Sequence, residues 1–405
     1  MDIDTLDRYA ALLLDVGVAL RPGQTLAVNA QVEHHPLARA LAEAGYRRGA
    51  GYVDVWYFDQ QVKRSRVAHA PEATLAGNPR WWDTRYEDLG ERGDCLVKLH
   101  GDPYPGLLDD LPEHRVGLDR SPACASLFRA QMWGLVSWCI APYPTEGWAR
   151  AVYGEPDVAR LWDEVRGFLR LDADDPVLAW QRHLDRLERR CATLDALDLV
   201  GLHLSGEGTD LRLGTIPGAG WKTSTLTNPR GERNLLNMPT EEVYTTPDHR
   251  RTEGVVSATR PLNLSGTVVE GLALEFRGGE ITGVRARHGA DAVRASIAVD
   301  DGARRLGEVA LVDGTSPIGR SATPTFLDTL LDENATCHLA WGGGIPSVFD
   351  DFRERGPEQL AELGVNRSAN HIDFMVGGPG VTVTGLTASG DEVTILAGDA
   401  WQLAD

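Results

Sequence analysis

TLAVNAQVEHHPLARALAEAGYRRGAGYVDVWYF, residues 25–58, decides the reading of the first half of the chain. Its apolar run from Thr25 to Asn29 reads as a short strand, the segment from about Pro36 to Arg48 as a helix, and Tyr52 to Phe58 as a second strand. The order βαβ predicts a parallel sheet. Working outward, a helix is expected near Thr5 to Leu20, closed by a turn at Pro22-Gly23, and another short buried strand at Cys95 to His100. The first half is therefore expected to be an α/β domain.

Further on, Trp180, Leu184, Leu187, Cys191 and Leu194 fall at alternating spacings of four and three, which puts them on one face of a long helix from Val177 to Leu197. This helix is expected to bridge two halves. Beyond Leu199 the texture changes to short alternating strands with glycine turns. LHLSGEGTDLRL at 202–213, LALEFRGGEITGV at 272–284 with a two-residue Gly278-Gly279 hairpin, and VTVTGLTASGDEVTIL at 381–396 predict a mainly antiparallel β domain with helices. A chain of 405 residues is too long for one ordinary core. The expected boundaries are 1–195 for the α/β domain with its bridging helix and 196–405 for the second domain.

Composition removes several function classes. A formal charge of -19, with no Lys/Arg run, disfavours phosphate backbones and anionic lipid, so neither nucleic acid nor membrane is an expected partner. The opening MDIDTLDRYAALLLDVGVAL is acidic where an export signal would be basic, and no stretch approaches the roughly 18 apolar residues that span a bilayer. Five scattered cysteines without a C-x-x-C pair fit reduced thiols. A soluble, cytoplasmic protein is expected.

No H-E-x-x-H, G-x-S-x-G, P-loop or strand-borne G-x-G-x-x-G is present. What remains is a set of polar residues inside apolar strings. In NHIDFMVGGPG, His371 and Asp373 are two apart in a strand-like run, so both side chains face one side. Imidazole with carboxylate suits zinc, cobalt, manganese or iron. LDENATCHLAWGGGIP places Glu333 and His338 before three glycines that allow close backbone approach. NMPTEEVYTTP carries Glu241 and Glu242, and LGEVALV carries Glu308 into a run of strand formers, where a buried carboxylate is costly unless paired or bound to metal. Taken singly, each has an ordinary explanation: an exposed polar pair for H-x-D, and a strand-edge charge facing water for Glu308.

At these four strings, in the same order and at similar intervals, the chain resembles the aminopeptidase T, aminopeptidase S and PepS family of dinuclear metallo-aminopeptidases. N-M-P-T-E-E-V-F-T-x-P is matched by Asn237 to Pro247 with Tyr244 for Phe, L-G-E-x-A-L by Leu306 to Leu311, D-E-N-x-x-x-H-x-A-x-G by Asp332 to Gly342, and S-A-x-H-x-D-F-M by Ser368 to Met375. The resemblance implies metal ligands at Glu242, Glu308, His338, His371 and Asp373 and a general base at Glu333. It also implies two divalent ions per chain (Zn, Co, Mn or Mg), a peptide or small amide substrate and a homodimer. Five ligands cannot fill two separate inner shells, so a carboxylate, Glu308 or Asp373, should bridge, and a bridging water is the expected nucleophile.

A second departure from the pattern matters more. The family has a tyrosine seven residues after the ligand histidine, and here that position is Ile345. A specialised amide hydrolase on the same scaffold is therefore an alternative. Another treats His338, His371 and Asp373 as a two-histidine-one-carboxylate triad on one Fe(II), as in a ring-cleaving dioxygenase. Glu242 and Glu308 would then have no use.

Overall fold

The first element, α1 (Ile3–Leu12), is shorter than its pattern predicts, since the chain widens into a π-helical turn at Leu13–Gly17 instead of continuing to Leu20. The Leu13 and Leu14 carbonyls accept from the amides of Val18 and Leu20, each 2.9 Å away. Ala19 then takes a left-handed φ of 48° and turns the chain toward the Pro22-Gly23 bend. These details come from a computed structural model, which describes residues 3–119, 121–122, 124–264 and 266–404.

β1 (Thr25–Gln31), α2 (His35–Arg47) and β2 (Tyr52–Phe58) follow, and β1 and β2 pair in parallel from Thr25 opposite Tyr52 to Gln31 opposite Phe58. The helix α3 (Arg80–Arg92) precedes β3 (Cys95–His100), which takes the other side of β1, and β4 (Ser137–Pro142) extends the sheet. The parallel order is β2-β1-β3-β4. Ala27 and Leu96 of the sheet pack with Tyr86 and Leu89 of α3. At the carboxyl ends of β1 and β3, where the strand order reverses, buried His34 closes the gap. Its Nε2 donates to the Gly101 carbonyl at 3.0 Å and its Nδ1 accepts from the Gln31 amide at 3.3 Å.

The long helix α4 spans Pro176–Ala196, and Trp180, Leu184, Leu187, Cys191 and Leu194 are all buried, as the four-three spacing predicts. The chain divides into two compact units inside this helix. One takes the residues up to Gln181 with Thr225–Met238, and the other takes Arg182–Ser224 and the residues from Pro239 onward.

In the second unit an eight-stranded antiparallel sheet contains β5 (Leu199–Gly206), β6 (Thr209–Thr215) and the Ala273–Arg277/Glu280–Arg285 hairpin closed by Gly278-Gly279. A separate four-stranded sheet carries β7 (Glu242–Thr245), β8 (Leu306–Val312), β9 (His338–Gly342) and β10 (His371–Met375), in the antiparallel order β10-β9-β8-β7. Val243, Val309, Leu311, Leu339, Trp341 and Phe374 form one face of this small sheet and join Leu202, Leu204, Leu211 and Leu213 of the large sheet in a single core. Burying six such side chains contributes on the order of 10 kcal/mol gross. That burial leaves the opposite face free to hold polar groups. Among the described residues, no helix is long and apolar enough to cross a membrane.

Candidate metal centre

The strand register assembles the centre. Ala340 of β9 pairs with Glu308 of β8 on one side and with Asp373 of β10 on the other, and directly opposed residues of neighbouring strands point to the same face. His338 and His371 lie two residues from Ala340 and Asp373, so period-two alternation brings them to that face as well. Glu242 pairs with Val312, four residues along from Glu308, and shares the face again. All five residues expected as ligands therefore leave one face of four strands, around an alanine small enough to leave room.

A bulge sets Glu308's direction. The β8–β9 register shifts between Leu306 and Glu308, where Gly307 supplies the extra residue. A Cβ at Gly307 would lie 2.2 Å from the Gly343 carbonyl oxygen, so only glycine lets the backbone of the 342–344 run come this close. Gly342 itself has a φ of 104°, a left-handed conformation that disfavours a side chain. The three glycines after His338 thus shape the rim of the centre.

The distances define two groups that share one carboxylate. His338 Nε2 lies 3.4 Å from Glu242 Oε2 and 3.8 Å from Glu308 Oε1, while His371 Nε2 lies 3.0 Å from Glu308 Oε2 and 3.3 Å from Asp373 Oδ1. Ligand-type atoms of Glu242, Glu308 and His338 lie within 4.8 Å of one another, and so do those of Glu308, His371 and Asp373. Glu308 is buried rather than facing water from a strand edge, and only His371 of the five is substantially exposed. Its ring marks the open side.

A further layer orients these groups. His338 Nδ1 donates to the Glu333 carbonyl at 2.8 Å and His371 Nδ1 to the Gly343 carbonyl at 2.7 Å, which leaves each Nε2 directed at the carboxylates. Ser224 Oγ donates to Glu242 Oε1 at 2.6 Å. The sequence offered no signal for Ser224 or for the Gly343 carbonyl, because both act through long-range contacts.

Glu333 closes α5 (Thr329–Glu333), a helix capped at its start by Asp328, whose Oδ1 accepts from the Leu331 amide at 3.3 Å. Its neighbour Asp332 is also buried, but turns away to accept from the Phe326 amide at 2.7 Å and Thr325 Oγ1 at 2.8 Å. Glu333 is thus free of that structural task.

Electrostatics shows what the cluster lacks. Burial, then the neighbouring Asp373, Glu242 and Glu308, push the Glu333 carboxyl well above its ordinary range, and burial with Glu308 lifts Glu242 to about 7 against the pull of His338. Burial would also raise Glu308, but hydrogen bonds from His338 and His371 outweigh it and hold the group at about 2. His338 is raised to about 9 and His371 well above its usual value, because adjacent carboxylates outweigh the burial that would lower them. Among the described residues, the ion pairs of these carboxylates run to the two imidazoles. Protons on the imidazoles thus supply the positive charge that the cluster demands, and divalent cations fit the same donor set with neutral imidazoles.

Comparison with known proteins follows the same lines. The sequence pattern of the thermophilic metalloprotease family (M29) matches residues 3–401. Aminopeptidase 2 of Geobacillus stearothermophilus is 36% identical over 403 residues, 98% of this chain and 97% of the relative. Aminopeptidase T of Thermus aquaticus is 37% identical over 405 residues, 98% of each. The solved structure of wild-type AmpT from Thermus thermophilus superposes with a TM-score of 0.90 at 35% identity, covering 99% of both chains.

Proposed function

The chain belongs to the M29 family of thermophilic metalloproteases and is a metal-dependent hydrolase, and from that premise we propose that it is a two-metal aminopeptidase releasing N-terminal amino acids. In this reading Glu242, Glu308 and His338 would hold one ion, Glu308, His371 and Asp373 would hold the other, and Glu333 would move the proton. The observation that carries it is the position of Glu308, with one carboxylate oxygen toward each imidazole. A single ion would leave one of the two groups without a role.

Divalent ions bound there supply Lewis acidity, lowering the pKa of a water and polarising the scissile carbonyl. The remaining work falls to the chain. Glu333, which lies beside the two ligand groups and outside both, would accept the water's proton and return it to the leaving amine. The resemblance implies that one of the ions or a nearby carboxylate would hold the substrate's free α-amino group, which would restrict cleavage to N-termini. Five unpaired thiols support a reducing, cytoplasmic setting, and the resemblance supports a homodimer, which sedimentation would check.

The test is metal content per chain together with turnover of aminoacyl amides bearing free or blocked α-amines. Two divalent ions and cleavage of free-amine substrates alone are expected. One tightly held iron with oxygen uptake on aromatic substrates would overturn the reading.

A further inference from the structure

Asn334 is fully buried immediately after Glu333, at the end of α5. Its Oδ1 accepts from the backbone amide of Glu241 at 2.7 Å, while its Nδ2 donates to the Leu330 carbonyl at 2.9 Å and to Glu333 Oε1 at 3.5 Å. The amide has no freedom to flip, because Glu241 offers only a donor and Leu330 only an acceptor. One N–H is therefore committed to the helix end. The other is aimed at the Glu333 carboxylate.

We infer that Asn334 is a positioning residue for proton transfer, fixing the Glu333 carboxylate by donating to one oxygen so that the other is presented to the metal centre. This rests on the reading of Glu333 as the general base. The geometry adds a second constraint, since the amide that Asn334 accepts from belongs to the residue before Glu242. The same side chain thus also touches the backbone beside the strand that carries a ligand. At 3.5 Å the contact to Glu333 is at the outer limit of a hydrogen bond, a length that does not exclude a tighter bond once substrate is present. Glu333 in turn orients His338 through its carbonyl, so its backbone is held from the ligand side and its side chain from the asparagine side.

A double-mutant cycle on the full-length, metal-loaded chain tests this, comparing Asn334→Ala, Glu333→Gln and the double variant on an aminoacyl amide. Metal content and the visible spectrum of the cobalt-substituted protein are read alongside. Asn334→Ala should lower kcat at least tenfold with KM, metal content and cobalt spectrum nearly unchanged, and should cost nothing further once Glu333 is already Gln. Asn334→Asp keeps the acceptor for Glu241 but removes the donor, so it should be no more active than the alanine variant even where it folds better. An equal loss in both backgrounds, or full activity in Asn334→Asp, would overturn the inference while leaving Glu333 as the base. If Glu333→Gln by itself leaves turnover intact, the general-base reading fails, and the positioning role fails with it.

Discussion

At the residue scale, the division of labour among the carboxylates follows from their neighbours. Glu242 and Glu308 each have an imidazole within 4 Å, whereas Glu333 is partnered by the amide of Asn334. Glu333→Gln should therefore retain both ions and lose at least about two orders of magnitude in turnover, the usual cost of removing a positioned base. Loss of metal in that variant, measured by elemental analysis, would make Glu333 a ligand instead. Ile345 stands where the resemblance leads one to expect a tyrosine. Its amide donates to Thr246 Oγ1 at 2.9 Å and its carbonyl accepts from the same hydroxyl at 3.2 Å, so the backbone there is pinned and a new side chain would keep a defined direction. Ile345→Tyr should raise kcat on simple aminoacyl amides and leave KM nearly unchanged, since an added oxyanion donor acts in the transition state. Unchanged kcat on every substrate would show that position 345 does not face the reacting carbonyl.

Individual elements hold the strain and the switches. The bulge in β8 depends on Gly307, where a methyl group would meet the Gly343 carbonyl oxygen at 2.2 Å. Gly307→Ala should cost on the order of 2–3 kcal/mol and lower metal content, because relieving the clash moves both Glu308 and the loop that orients His371. Thermal unfolding and metal analysis of that variant check both effects. In the parallel sheet, His34 is held neutral: burial, reinforced by His100, lowers its pKa to about 4 against the Gly101 hydrogen bond. The unfolded chain binds this proton near pH 6.5 and the folded one only near 4, so stability falls as pH drops through that window, by about 3 kcal/mol at the acid end. Protonation would also convert Nδ1 from the acceptor of the Gln31 amide into a competing donor. His34→Gln should flatten this part of the pH–stability curve, measured by denaturant unfolding of the metal-loaded protein between pH 4 and 6.5.

For the whole molecule, metal, protons and stability are linked through one cluster. Without metal, His338 is raised to about 9 and Glu242 to about 7, and a group with a raised folded pKa stabilises below its unfolded value and loses that contribution as pH climbs through the folded one. The metal-free protein should thus lose stability between about pH 4.5 and 9, Glu242 acting over the lower part of that window and His338 over the upper part, where His34 no longer titrates. Bound ions replace those protons, so the loaded protein should keep its stability there, the gap between the two widening with pH. Proton release on metal addition at pH 7, followed in weak buffer, gives an independent measure. A metal affinity that does not rise with pH would show that the imidazoles are not the groups displaced.

Local pattern alone was enough for the βαβ order of residues 25–58, the buried stripe on α4, the Gly278-Gly279 hairpin and the shared face of His371 and Asp373, because each depends on backbone periodicity over a few residues. The early end of α1 was not legible, since it arises where the Leu13 and Leu14 carbonyls find partners beyond the α-helical spacing. Periodicity also could not bring Glu242, Glu308 and His338 together with that pair; only the match of the four strings to a known family suggested it. The tertiary structure decides that convergence through register: Ala340 stands between Glu308 and Asp373, and Val312 opposite Glu242. Strand pairing is fixed by packing the apolar face of the small sheet on the core and by the bulge at Gly307, and both depend on contacts between residues far apart in the chain.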